Sequence, residues 1–416
     1  MATPLAVATD DAPAAMGTPM TGATPSRPAG RTAVFATICG FAFLVNFGRV
    51  AFAPLVDFFI ESGISPATAG LAATAVWLGT ALPRLPTGYL LTFVSRHRTI
   101  VGMGVFLAAA TTFTAVAEGI WLTVVGALLV GLATGVFFIA ANPLVSELYP
   151  EKVGTAVGIR GMSSQIAAVA APFLVAIAIG LGSWRIAFGA LAVLALATTA
   201  LFAGAVHRAE LPNAGAADRD LVAGIRAEWP LLLTGIVFVG VTGFVWQGVF
   251  NFYITYVSEV KGLTRATANT LLTVTFAAGV PSFLVAGRLA DRFSYPRLLL
   301  TVLAGFALTL TALTMVQGVL AVAAVSVVMG MVIHGLFPLG DAYMLDSLPD
   351  EHRASAYSGF SAVMMLMQAP GSLATGVLAQ SGLGYDGAFL GYAVLVAVAT
   401  LGMGVAARAA WVPTRW

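Results

Sequence analysis

Gly63-Ile-Ser-Pro-Ala-Thr-Ala69 and, 199 residues further on, Gly262-Leu-Thr-Arg-Ala-Thr-Ala268 are two copies of one pattern. Each follows one apolar stretch and opens the next, so each reads as a tight turn between two helices. The same offset pairs Gly88 with Gly287, Leu90 with Leu289, Arg98 with Arg297, Gly131 with Gly330, Glu147 with Asp346 and Pro150 with Pro349. Pro172 and Pro370 correspond after a slip of one residue. Agreement at one offset across five apolar stretches marks an internal duplication, with both copies in the same orientation.

Around this repeat the chain is overwhelmingly apolar. Of 416 residues, 59% are hydrophobic and 9% charged, where a soluble domain carries about a quarter charged residues. Crossing a bilayer as a helix takes about 20 mostly apolar residues. Twelve stretches qualify: 32–59, 67–93, 99–117, 120–145, 154–181, 185–206, 230–257, 266–290, 297–316, 319–345, 354–380 and 386–408. The one long polar interior stretch, 207–229, divides them six and six. The expected fold is therefore an all-α membrane protein of twelve transmembrane helices. It comprises an N-terminal six-helix bundle (32–206), a cytoplasmic linker (207–229) and a C-terminal six-helix bundle (230–408), flanked by cytoplasmic tails at 1–31 and 409–416. Parallel repeats of this kind are related by an axis along the membrane normal and bind solute between the halves near the midplane.

Fourteen Lys and Arg residues fall on the side of the termini, among them Arg31, Arg96, Arg98, Arg288, Arg292 and Arg297. The other side holds Arg185, Lys261 and Arg265. The positive-inside rule then places both termini in the cytoplasm and the chain in the cell membrane. The first thirty or so residues are rich in Ala, Thr, Pro and Gly and lack the basic start of a secretory signal, so they read as a disordered tail. Several function classes drop out. A net charge of +2 without a long basic run argues against nucleic-acid binding. The single cysteine, Cys39, allows neither an internal disulfide nor a cysteine metal site. No Gly-x-x-x-x-Gly-Lys-Ser/Thr loop is present to drive a nucleotide-powered pump, and no dyad or metal set suggests an enzyme within the membrane.

Between spans eight and nine runs Gly287-Arg288-Leu-Ala-Asp291-Arg292-Phe-Ser-Tyr-Pro-Arg297. This resembles the loop motif Gly-x-Leu-x-Asp-Arg-x-Gly-Arg-Arg of the major facilitator superfamily, and the likeness extends over about residues 32–408. The resemblance implies a gating loop: Gly287, Arg288, Asp291 and Arg292 would close the cytoplasmic side, with Glu147 and Asp346 as acidic partners at neighbouring helix ends. In the first half the motif is degenerate, with Thr92 for the acid, Phe93 for the basic residue and Ser95 for the glycine.

Ionisable groups inside a bilayer are costly and therefore mark function. Arg49 in span one, Arg84 in span two and Arg160 in span five qualify, and their repeat counterparts are Gly248, Phe283 and Gly359. Because the second half does without them, the scaffold alone does not require them. Guanidiniums in a low-dielectric cleft offer forked donors to carboxylate, phosphate or nitrate oxygens. Arg84-Leu-Pro86-Thr-Gly88 resembles the Arg-x-Pro-x-Gly of span two in nitrate-type anion porters, and Asn46-Phe-Gly-Arg49 resembles the span-one arginine of anion:cation symporters and organophosphate porters. The span-eight arginine of nitrate porters is replaced by Phe283, which disfavours nitrate itself. Arg160 is expected to pair with Glu147 or Glu151 and so to belong with the gate.

Further polar groups complete the expected site: Asn142, Gln165, Gln368, and Gln247 with Asn251 one turn apart on span seven. Trp77 lies two turns from Arg84 on the same face and can wall the site. On span ten His334 and Asp341, seven residues apart, share a face and are the candidates for coupling transport to protons. The reading is a monomeric secondary active transporter, symporter or antiporter, that moves a small organic or inorganic anion by alternating access with no cofactor or metal. The alternative is an exporter of drugs or other hydrophobic compounds, for which the cleft should offer acids or aromatics.

Overall fold

The computed structural model describes residues 28–91, 93–149, 153–209, 225–290 and 292–409. Asp291, Thr92, Glu151 and most of the N-terminal tail and of the linker lie outside the described residues. Among those described, every regular element is a helix.

Ten helical stretches are long and apolar enough to cross a membrane. One of them, Gly359–Arg408, has 50 residues, which at a rise of about 1.5 Å per residue is far too long for one crossing. It reverses at Gly382, where φ is +89°, and supplies spans eleven and twelve. The remaining crossing is span two, which is split into Pro66–Ala81 and Arg84–Leu90. Twelve spans result, as the sequence implied. Proline explains the main interruptions, because it removes one N–H from the helical ladder and crowds the carbonyl four residues back. Helices break at Ala51 ahead of Pro54, at Leu82-Pro83, and at Ala369-Pro370. At Pro143, Pro172, Pro281 and Pro338 the helix runs through.

The opening sequence pattern has a structural reason in both halves. Gly63 and Gly262 adopt φ of +87° and +66°, a region costly for side chains other than glycine. Two residues on, Ser65 Oγ and Thr264 Oγ1 each accept the N–H three residues later, from Thr68 and Thr267, at 3.2 Å. Each copy is thus a left-handed turn followed by a helix N-cap. The Gly131 and Gly330 pair is explained by close helix crossings: a Cβ on Gly131 would strike the Val76 carbonyl, and one on Gly330 would strike the Thr275 carbonyl. Val76 and Thr275 are themselves related by the same offset. Small residues let helix backbones approach where lipid supplies no hydrophobic drive.

Within each half, span two packs on span four and span eight on span ten. The halves meet mainly through span two against span eleven and span five against span eight. These contacts gather at the end bearing the Gly63 and Gly262 turns. There Thr74 Oγ1 accepts the Leu373 N–H at 3.0 Å, Asn269 donates to the Pro172 carbonyl at 3.1 Å, and Gly70 and Gly376 lie against the Ser372 and Pro66 carbonyls. The molecule is sealed at this end. Towards the opposite end Asn142 and Asp341 are exposed although both sit on membrane-spanning helices.

Candidate functional site

Span one carries Asn46 and Arg49 one turn apart, and span five carries Arg160 and Ser164 one turn apart. A bond between the two helices fixes their register: the Asn46 amide donates to the Ser164 carbonyl at 2.6 Å. The same asparagine accepts from the Arg49 guanidinium through its Oδ1. Arg49 lies over the Trp77 ring at 4.2 Å and reaches Phe138 of span four at 5.7 Å. Arg160 approaches that same Phe138 ring at 5.4 Å. Two guanidiniums therefore share one aromatic wall, an arrangement in which ring faces soften the loss of water around each cation.

Arg84 stands at the restart of span two, where the helix resumes after Pro83. It donates across the interface to Ser361 of span eleven and lies within electrostatic reach of Arg49. One turn before Ser361, the Tyr357 hydroxyl donates to Asp341 Oδ1 at 2.8 Å. Asp341 and Arg84 act on each other electrostatically without forming an ion pair.

The donors on these arginines are only partly used. Arg49 Nε, Arg84 Nε, and both Nε and Nη1 of Arg160 are buried without a hydrogen-bond partner, as is Trp77 Nε1. Among the described residues, the ion pairs are Arg96 with Glu147 and Arg265 with Asp57 and Glu61. None involves Arg49, Arg84 or Arg160. A buried charge without a partner costs several kcal/mol, and among the described residues the carboxylate acting on this cluster is Asp341, on Arg84.

The structure brings Arg49, Asn46, Trp77, Arg84, Arg160 and Asp341 into one region. It adds Phe138, Ser164, Tyr357 and Ser361, which sequence reasoning missed because a phenylalanine or serine on an apolar helix carries no signal of its own. Arg160 lies against Phe138; of its two expected partners, Glu147 is bound by Arg96, and Glu151 lies outside the described residues. Asn142 is exposed on span four. Gln165 donates to the Phe276 carbonyl at 3.0 Å and ties span five to span eight.

Other expected site residues bond to the helices themselves. Asn251 donates to the Gln247 carbonyl of its own helix at 2.8 Å, and Ser372 of span eleven donates to that carbonyl at 3.0 Å, with both amides buried. Gln368 donates to the Val239 carbonyl at 3.3 Å, inside the π-helical turn Ile236–Val241 of span seven. His334 and Asp341 are not brought together. His334 bonds the Gly330 carbonyl at 2.8 Å and is boxed by Trp246 and Phe276, both with ring centroids 5.6 Å away.

At the open end, Arg96 binds Glu147 and Tyr295 binds Asp346. Tyr295 is the repeat counterpart of Arg96 and Asp346 that of Glu147, so one tie between adjacent spans occurs in both halves, an ion pair in the first and a hydrogen bond from a tyrosine hydroxyl in the second. Burial pushes the Glu147 carboxyl up, and the Arg96 guanidinium opposes that. Gly287 and Arg288 lie in the last turn of span eight, and Arg288 and Arg292 are exposed. At the sealed end, Asp57 accepts from Arg265 Nε at 2.9 Å and from Thr255 at 3.1 Å, both from the other half. This cross-half lock borders a cavity of about 200 Å³.

A duplicated twelve-span bundle with a charged cleft between its halves is the architecture of a membrane transporter. The chain belongs to the Major Facilitator Superfamily, whose family profile matches residues 38–268 and 238–415. Solved structures share the fold at low sequence identity. A bacterial homologue of the human lysosomal transporter Spinster, in an inward-facing and occupied conformation, superposes with a TM-score of 0.77 at 16% identity, covering 92% of this chain and 98% of that one. The nucleoside transporter NupG gives 0.74 at 12% identity over 90% and 99%. A POT family transporter in complex with a thioalcohol-conjugated peptide gives 0.74 at 14% over 90% and 96%. No curated protein sequence matches the chain.

Proposed function

We propose that this protein is a secondary active transporter that carries a small anion across the cytoplasmic membrane by alternating access, coupled to the flow of an ion. The observation that carries this reading is the set of guanidiniums at Arg49, Arg84 and Arg160, with buried N–H groups left open and, among the described residues, no carboxylate ion-paired to them. An exporter of organic cations would need the opposite sign of charge in its cleft. Both termini are cytoplasmic on the distribution of Lys and Arg. In that orientation the sealed end faces outward, and the described state is inward-facing. Asp341, open to the gap between the halves and hydrogen-bonded to Tyr357, is the better candidate for proton coupling. His334, enclosed by aromatic rings, is the lesser one.

The test is thermal stabilisation of the purified protein by a panel of small anions, neutral drugs and lipophilic cations. A ligand that binds the folded state raises the melting temperature with concentration. Carboxylates or phosphate should stabilise the parent, and Arg49→Gln or Arg84→Gln should abolish the effect. Stabilisation by lipophilic cations or neutral drugs alone, unchanged in both variants, would replace this reading with drug export.

A further inference from the structure

We infer that the anion carried by this cleft is a dianion, with Arg160 holding the second negative charge; this rests on the anion reading above and narrows it. The inference comes from the balance of charge in the cluster. Arg49 lies within electrostatic reach of Arg84 and shares the Phe138 ring with Arg160, and among the described residues the carboxylate acting on these arginines is Asp341. That carboxylate acts on Arg84, the arginine that also reaches across to Ser361, one turn from Tyr357 on span eleven. Arg84 is thus the compensated member of the three.

Arg49 and Arg160 are not compensated. Each belongs to the first half, each rests against Phe138, and among the described residues neither meets an acid within ion-pair distance. They are also not equivalent. Arg49 is committed on one side to Asn46 and Trp77 and keeps Nε open. Arg160 is 8% exposed and keeps both Nε and Nη1 open. A monoanion on Arg49 would leave Arg160 a buried cation without a partner, the costliest state a charge can adopt in a bilayer. A dianion satisfies both. Their guanidinium carbons lie 5.7 and 5.4 Å from the centre of the same Phe138 ring, so a solute with two charged oxygen groups can span them.

Two chemistries fit a dianion: a short dicarboxylate, with its charges on separate groups, and inorganic phosphate above its second ionisation, which lies between the two pH values of the test below, with both charges on one group. The repeat supports the assignment of a special role to this side. Gly248 and Gly359 stand where the second half would repeat Arg49 and Arg160, so the excess charge is built into one wall of the cleft alone.

The experiment measures half-saturation for thermal stabilisation of the full-length protein by succinate, propionate and inorganic phosphate, the last at pH 6 and pH 8. Succinate should act at a concentration at least about tenfold lower than propionate, or phosphate should act at least about threefold more strongly at pH 8 than at pH 6. Arg160→Gln should collapse whichever ratio is found towards one, and Arg160→Lys should retain part of it. A second readout needs no variant. Cys39, the single cysteine, lies on span one within electrostatic reach of Arg160, so a bound dianion should slow its alkylation by N-ethylmaleimide several-fold. Equal potency of propionate and succinate together with indifference of phosphate to pH overturns the dianion while leaving an anion transporter standing. A preference for dianions that survives Arg160→Gln intact, with Cys39 unprotected, removes Arg160 from the assignment. Silence from every anion overturns both this inference and the reading on which it rests.

Discussion

Replacing Asp57 by asparagine should unlock the sealed end of the molecule. Asp57 is buried to 4% and joins the halves by accepting from Arg265 at 2.9 Å and Thr255 at 3.1 Å. Asparagine keeps the shape and the Thr255 contact but loses the ion pair. A hydrogen bond to a charged group contributes about 1.5–3 kcal/mol. The Arg265 side chain is 42% exposed, so solvent screening reduces this to about 1–2 kcal/mol. That amount changes the ratio of sealed to unsealed molecules by about 5- to 30-fold. The assay uses Cys39→Ser with Ile179→Cys, which puts the sole thiol in the cavity beside the lock. Labelling by a membrane-impermeant maleimide from the sealed side should accelerate by that factor in Asp57→Asn. Glu61→Gln is the control: Glu61 lies 3.4 Å from Arg265 with its side chain 55% exposed, and its loss should change the rate less than about twofold. Unaltered labelling in Asp57→Asn, or an equal effect of Glu61→Gln, would refute the assignment of Asp57 as the lock.

Three further outcomes are expected. Gly131→Ala and Gly330→Ala should each lower the melting temperature in detergent, at a cost of about 1–3 kcal/mol, because the atoms a Cβ would meet are backbone carbonyls that cannot turn away. Tyr295→Phe should cost about 1 kcal/mol, read by chemical denaturation, and adding Arg96→Gln should be additive with it, since the two ties lie in different halves. Asp341→Asn should flatten the pH dependence of transport in proteoliposomes, whereas His334→Gln should lower stability and leave the pH profile in place; the reverse result would return the coupling role to His334.

The fold was legible because its determinants repeat. Gly63, Ser65, Gly131 and their counterparts recur at one offset, and each performs a backbone task that few residues can, so the pattern persists where general side-chain identity has drifted. The number of spans, and the reversal between 380 and 386, were legible from apolar length alone, yet the interruption of span two at Pro83 required coordinates. Proline was an ambiguous signal: Pro54, Pro83 and Pro370 break helices, whereas Pro172, Pro281 and Pro338 do not. Of the site, the arginines stood out because charge is scarce in these helices. Their neighbours did not. Phe138, Ser361 and Tyr357 matter through where they point, which no spacing reveals, and the amides resemble ligand-binding groups in sequence while Asn251 bonds within its own helix and Gln368 ties span eleven to span seven. Of the two acids that spacing offered Arg160, Glu147 is taken by Arg96, a residue on another span that carries no local sign of that pairing.

Solute counterflow in proteoliposomes tests the central claim most directly. Vesicles loaded with a millimolar anion that stabilises the protein are diluted into the same anion at trace, labelled concentration. Transient accumulation of label, saturable and lost in Arg49→Gln, is the expected result. Accumulation of a lipophilic cation instead, with the anions inert and Arg49→Gln behaving as the parent, would contradict an anion transporter.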